Sequence, residues 1–344
     1  MTAIKRYWWM LLLAAVGAVA VMASVINEGS EEIKQNIKLI SHKNIYRVAI
    51  LQENSFPEYE KMTSGAKAAL ASKGYREGEN ISFKILNGEG NADALEKQSR
   101  ELINSNPDLI IAVGTEAAKA AAAGTKVVPV VGIGVFRLES DEAFKDHYNL
   151  TGIGDMPAVL NQIRMASKVF PIETLGVIFN PDDEESIFQL QILREAGMRK
   201  GLKLFEVAFD EKKDLEEQIK KFKGNVSAVY IPSDEKIQNS FEKIVKILLQ
   251  SGIPVIGENT EMVRHGALLS ISAEYYRMGF SGGRMAAELL EGKKKPYEIP
   301  ITKQMDPEWV VNMSVAKALK KELPNDIWQK ARKLYLYDGQ KARP

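Results

Sequence analysis

The chain has 344 residues, with 46 Lys and Arg against 45 Asp and Glu, a net charge of +1 and no cysteine. Charge this balanced is not built to hold a polyanion, so no nucleic acid partner is expected. The missing cysteines remove disulfides, thiolate metal sites and cysteine nucleophiles, and the three histidines, His42, His147 and His265, are too scattered for a histidine-rich metal centre.

The chain opens with Lys5 and Arg6, runs apolar from Tyr7 to Ile26, and turns acidic at Glu28, Glu31 and Glu32. About 20 apolar residues are enough to span a bilayer as a helix. Positive before and acidic after predicts an N-terminus inside and everything else outside the cytoplasm. Residues 1–26 therefore read as a signal peptide or a membrane anchor. Ala18, Ala20 and Ala23 suit cleavage. Trp8 and Trp9 at an interface, with a spacer over 27–45 carrying Ile33, Ile37 and Ile40 on one face, suit an anchor that keeps residues 7–26 in the membrane. Both readings stay open.

From Tyr46 short apolar runs alternate with longer helix-period runs. The predicted strands are Val48–Leu51, Ile81–Leu86, Leu109–Val113, Val127–Val131, Leu150–Ile153, Leu175–Phe179, Leu204–Ala208, Ala228–Ile231, Pro254–Ile256 and Ala267–Ile271. The predicted helices are 58–73, 92–104, 115–123, 157–169, 184–199, 212–222, 235–250 and 275–291. Ser55 and Glu58 have capping-box spacing ahead of the first helix. Strand–helix alternation throughout predicts an α/β fold of parallel sheets covered by helices.

The pattern also repeats coarsely. Leu109–Val113 with Gly114 and Thr115, a helix, then Pro129 and Gly132 is echoed by Ala228–Ile231 with Asp234, a helix, then Pro254 and Gly257. Two similar doubly wound lobes are expected, a single large sheet being the alternative. The first lobe is drawn over 46–150 plus 258–292 and the second over 151–257 plus 293–330. Crossovers are placed near Thr151–Asp155 and Gly257–Thr260, and 331–344 is left as a basic tail.

Ligands of open parallel sheets bind beyond the carboxyl ends of the strands. The residues found there are Glu53 and Asn54, Thr115 and Ala117, Asp155, Asn180 and Asp183, Asp234, and Asn259. Each polar one is also an ordinary helix cap. Together they would ring one cleft with carboxylates and helix N-termini. Asp155 and Asp234 are the expected partners of a ligand ammonium group. Thr115 and its neighbouring N–H groups are the expected partners of a ligand carboxylate, so a small zwitterion satisfies both ends. Dinucleotide loops, phosphate loops and nucleophile elbows are absent, and no two carboxylates are singled out as an acid–base pair.

The motifs resemble the substrate-binding proteins of ABC transporters, in the tryptophan/tyrosine-type branch, over roughly residues 46–325. The resemblance is carried by Gly74, Tyr75, Gly78 and Asn80, by the run from Pro107 to Thr115 with Ala117 and Ala118, and by Leu150, Gly152 and Asp155. It continues through Leu175 to Asn180, Ala228 to Asp234, Ile253 to Gly257, Gly266 to Leu268, and Tyr275 with Gly279. It implies a type I periplasmic-binding-protein-like fold: two lobes, three crossovers and a hinged cleft. It also implies an aromatic amino acid or related small solute as ligand, and ABC transporter permease subunits as partners. Carried over by position, Thr115, Ala117, Asp155, Asn180 and Asp234 would line the cleft. The sequence departs from the family at Pro181–Glu185, where a serine-rich loop is usual.

Three functions follow in order of support: an extracytoplasmic receptor feeding an ABC importer, a membrane-anchored sensor not coupled to transport, and a carboxylate-based hydrolase. The first needs no catalytic residue and no cofactor.

Overall fold

Mostly aliphatic strands of two to seven residues build two sheets, and each sheet is covered by helices on both faces. The computed structural model describes residues 45–335 except Ser233, Gln304, Met305 and the side chain of Lys200. The expected signal or anchor over 1–26 lies outside the described residues, as does nearly all of the spacer. Among the described residues no helix is long and apolar enough to cross a membrane.

The first sheet contains β1 (Tyr46–Gln52), β2 (Ile81–Asn87), β3 (Leu109–Val113), β4 (Val130–Phe136), β5 (Leu150–Asp155) and β11 (Thr302–Lys303). Their order is β11-β5-β4-β3-β1-β2, and every pairing is parallel. The second sheet contains β6 (Thr174–Phe179), β7 (Lys203–Ala208), β8 (Ala228–Ile231), β9 (Val255–Gly257), β10 (Leu269–Ser272), β12 (Glu308–Asn312) and β13 (Arg332–Leu334). Its order is β13-β12-β10-β9-β8-β6-β7, and only β10 and β12 run antiparallel. The chain is therefore α/β with two parallel-sheet lobes, the type I periplasmic-binding arrangement, and the single-sheet alternative falls.

The α-helices that precede β11 are α1 (Pro57–Ser72), α2 (Ala92–Asn104), α3 (Thr115–Gly124), α4 (Val159–Val169), α5 (Glu184–Lys200), α6 (Leu215–Lys220), α7 (Glu235–Gln250), α8 (Thr260–Arg264) and α9 (Tyr275–Leu290). Strands buried on both faces explain the unbroken apolar runs. In β1, Val48 and Ile50 face a core shared with Met62, Leu70 and Met278, while Ala49 and Leu51 face Leu95, Leu102 and Ala118. Each fully buried aliphatic side chain of this kind contributes about 1.5–3 kcal/mol.

Helices α1 and α9 lie against each other unusually closely. A Cβ at Gly65 would stand 2.1 Å from the Tyr276 carbonyl oxygen, and one at Gly279 would stand 2.0 Å from that of Met62. No residue but glycine fits either place. The contact fixes Glu58, Tyr59 and Met62 on one helix relative to Tyr275 on the other.

Several expected boundaries move. The first crossover follows Asp155, because Thr151–Asp155 is still a strand of the first sheet. The chain does not return at Gly257–Thr260. Gly257 only ends β9, and α8 carries the chain to β10, which joins the same second sheet. The return comes with α9, and a third crossover follows Lys303. The strand expected at Val127 begins at Val130, since Pro129 has no N–H to give a ladder and Val127 is 87% exposed. Part of the supposed basic tail, Arg332–Leu334, is an edge strand paired with β12. The Ser55–Glu58 capping box does not form. Phe56 is the N-cap with Pro57 at N1, and Ser55 Oγ donates instead to Glu89 at 2.8 Å. Glu58 is thereby left to face the cleft.

Candidate functional site

The carboxyl ends of both sheets meet at a cavity of about 430 Å³, a size typical of small-molecule sites. The first lobe lines it with Glu53 beyond β1, Glu58, Tyr59 and Met62 from α1, Thr115, Glu116 and Lys119 from α3, Phe136 and Asp155 at the ends of β4 and β5, and Tyr275 opening α9. The second lobe lines it with Asp182–Glu185 ahead of and in the first turn of α5, and with Glu258 beyond β9. A register shift in β4 between Ile133 and Val135 turns that strand's end toward the cavity.

Glu53 is held by backbone. Its Oε2 accepts from the Glu116 N–H at 2.8 Å. Gly114, with φ of 101°, makes room for it: a Cβ there would stand 2.4 Å from the same oxygen. Burial outweighs these favourable contacts and pushes the Glu53 carboxyl up to about 7. Burial likewise raises Asp155 to about 6. Asp183 rises to about 6, mainly through burial and despite accepting from the Ser186 N–H at 2.6 Å. Glu58 is also raised by burial. Glu185 is raised well above the ordinary carboxylate range, by burial and then by repulsion from Glu258, Asp155, Asp183 and Glu53. The physical cause is common to all: charged groups crowded out of water lose ionisation.

The lobes touch across the cleft. Lys119 Nζ lies 3.0 Å from Glu116 on its own helix and 3.6 Å from Glu184 on the other lobe. Arg137 reaches the same Glu184 at 3.4 Å. Lys61 pairs with Glu261, and Phe136 packs edge-on against Phe188 at 5.1 Å. Gln238 and Asn259 of the second lobe donate to Glu58 Oε1 at 3.4 and 3.5 Å.

Of the residues expected from the sequence, Glu53, Thr115, Asp155 and Asp183 line the cavity together. The others do not. Ala117 is buried in the core beneath α3. Asn54 is buried, with its Oδ1 accepting from the Ser55 N–H at 2.7 Å. Asn180 donates to Asp234 Oδ2 at 2.8 Å, and Asp234 Oδ1 caps α7 at the Ile237 N–H. Asn259 caps α8 at the Met262 N–H and borders a neighbouring cavity of about 390 Å³ beside Phe56 and Phe241. For Asp234 and Asn259 the capping role is the one the geometry carries. Thr115 Oγ1 accepts from the Phe136 N–H at 3.0 Å, which ties β4 to α3.

Lining residues outside the expected set include Glu58, Tyr59, Phe136, Glu185, Glu258 and Tyr275. Glu258 sits at a strand end, and Glu185 lies in the Pro181–Glu185 departure, so both carried a signal. Glu58 and the two tyrosines face inward only because α1 and α9 close over the strand ends, which no local pattern reveals.

The family described as ABC transporter substrate binding protein matches residues 47–335. A tyrosine-binding protein of Clostridioides difficile (strain R20291) is 26% identical over 317 residues, covering 90% of this chain and 91% of that protein. Among solved structures, an ABC domain of Streptococcus pneumonia in complex with L-Trp superposes with a TM-score of 0.76 at 23% identity, covering 85% of this chain and 99% of the other. A ligand-free, open substrate-binding protein from Clostridium difficile superposes with a TM-score of 0.71 at 25% identity, covering 84% and 99%.

Proposed function

We propose, for a chain that belongs to the ABC transporter substrate binding protein family, that it captures a small amine-bearing solute in the inter-lobe cavity and presents it to the permease of an ABC importer. Members of this family are solute-binding proteins, and the chain is not an enzyme. The observation that carries the reading is the cavity itself: it is lined from the strand ends of both lobes and bridged by Lys119 and Arg137 reaching Glu184. A ligand touching both lobes stabilises the closed form by the contacts it gains there.

In this reading Glu53, Asp155 and Asp183 accept from the ligand and Thr115 borders it. The amine is supported by the carboxylates, and an amino acid or related amine as ligand class is supported by the names of the similar proteins. Delivery to a permease is supported by the family, and a place outside the cytoplasm by the family together with the Lys5, Arg6 and Tyr7–Ile26 pattern.

The test is a melting-temperature screen over amino acids, amines and peptides, followed by small-angle scattering with the best hit. A ligand present at a hundred times its Kd should stabilise the protein by about 2.7 kcal/mol and shift the melt clearly. Scattering should show compaction. A full screen without any shift, or a hit with no compaction, sinks the receptor reading.

A further inference from the structure

The cavity crowds negative charge and leaves no place for a ligand's own. Nine of its lining residues are carboxylates and one is a lysine. That lysine, Lys119, is already committed to Glu116, Asp141 and Glu184. Glu53, Glu58, Asp155, Asp183 and Glu185 have no salt-bridge partner among the described residues.

Two backbone donors that a ligand carboxylate would need are occupied from within. The N–H of Glu116, at the start of α3, is taken by Glu53 Oε2 at 2.8 Å. The N–H of Ser186, at the start of α5, is taken by Asp183 at 2.6 Å. The expected carboxylate pocket beside Thr115 is thus filled by the protein's own side chain.

One deeply buried polar atom at the cavity awaits a partner. Glu58 is 6% exposed and its Oε2 has no hydrogen bond among the described residues. Tyr275 is 9% exposed and lines the same cavity. Leaving the Glu58 oxygen unpaired is costly, so a ligand that satisfies it gains strongly.

We propose that the ligand is an organic amine with at least two separated cationic groups and no carboxylate, a linear diamine or polyamine, rather than a zwitterionic amino acid. The proposal rests on the reading of this cavity as the receptor's ligand site. One ammonium pairs with one or two carboxylates, whereas five here stand without a cation. Tyr59 and Phe136 offer apolar and π surface to the methylenes between the charges. Among the described residues no three carboxylate or imidazole side chains converge as a bare metal ion requires. The carboxyls of Glu53, Asp155 and Glu185, raised first by burial, agree: cations entering the site would favour their ionised forms.

The experiment is calorimetric titration of the full chain with 1,4-diaminobutane, spermidine, n-butylamine, L-tyrosine and L-tryptophan. The diamine or spermidine should bind at least tenfold more tightly than butylamine and than either amino acid. Glu185→Gln should weaken that binding at least tenfold while melting no lower than the parent, since it removes a repelled carboxylate. Tyr275→Phe should weaken it severalfold with an unchanged melt. Tighter binding of L-tyrosine or L-tryptophan than of both polyamines overturns the proposal and leaves the receptor reading standing. Absence of binding by both polyamines also overturns it, and the broader melting screen then decides the receptor reading separately.

Discussion

Asn180 donates to one carboxylate oxygen of Asp234 at 2.8 Å, and the other oxygen accepts from the Ile237 N–H at 2.9 Å. Both faces of this carboxylate are thus used inside the second lobe, where Asp234 is 7% exposed. Asp234→Ala is therefore a stability variant. It removes a helix cap and strands a buried amide, at a cost of about 1–3 kcal/mol. Urea melts should show that loss while ligand titration stays near the parent. An affinity loss with an unchanged melt would return Asp234 to the binding site.

Gly114 is the hinge on which the Glu53 position depends. Its φ of 101° strains any side chain, and a Cβ would meet Glu53 Oε2 at 2.4 Å. Gly114→Ala should cost about 1–3 kcal/mol in backbone strain and also push Glu53 off the Glu116 N–H. Chemical denaturation reads the first effect. A lowered ligand affinity in the same variant reads the second, and Glu53→Gln, which keeps the hydrogen bond to Glu116, separates the two.

Glu184 meets Lys119 and Arg137 from the opposite lobe at 3.6 and 3.4 Å. All three side chains are at least a quarter exposed, so the pairs are screened, and each contributes about 0.2–1 kcal/mol. Glu184→Ala should open the cleft slightly and weaken ligand binding by about two- to fivefold. The effect should shrink at high salt. An affinity equal to the parent's at low salt would show that these pairs do not hold the lobes together.

Asp155 and Glu53 are raised to about 6 and about 7 from ordinary values of 3.8 and 4.5. A raised acid holds its proton more tightly when folded. Its contribution to stability is full below the unfolded pKa and is lost as pH rises through the folded value. The ligand-free protein should therefore melt progressively lower as pH climbs from the ordinary to the raised values. His147, lowered by burial and by Lys126, acts in the opposite sense below 6.5. Comparison with Asp155→Asn cancels that background. The variant should match the parent near the acid end and melt above it at alkaline pH. A difference that stays flat across the range would refute the raised Asp155. Binding of a cation at neutral pH should expel protons, which titrations in buffers of different ionisation enthalpy will reveal.

Much of this was legible before any coordinates. Leu109–Val113, Ala228–Ile231, 92–104 and 235–250 were bounded correctly because strong apolar periods end there at a clean cap. Pro129 misleads at the start of β4, since an apolar Val127 counts toward a run although the proline has no N–H to donate to a ladder. The crossovers were harder. Gly257 looks like a junction, yet only sheet pairing shows that Leu269–Ser272 stays in the second lobe. At the site, caps and ligand contacts share one vocabulary of Asp, Asn and Thr. Asp183 turned out to serve as a cap on the cavity wall, and Asp234 as a cap away from it. Glu58 and Tyr275 depended on two helices more than two hundred residues apart in sequence.

That same pair of helices sets an order on biosynthesis. The inner face of α1, with Met62, Ala66 and Leu70, is covered by α9, whose glycines admit it backbone to backbone. Until Leu290 has been made and brought home, the first five strands lack half their roof, and a nascent chain that has finished them still shows an apolar face to its surroundings. The first lobe is begun first and completed after most of the second. A chain arranged this way remains unfinished through most of its synthesis.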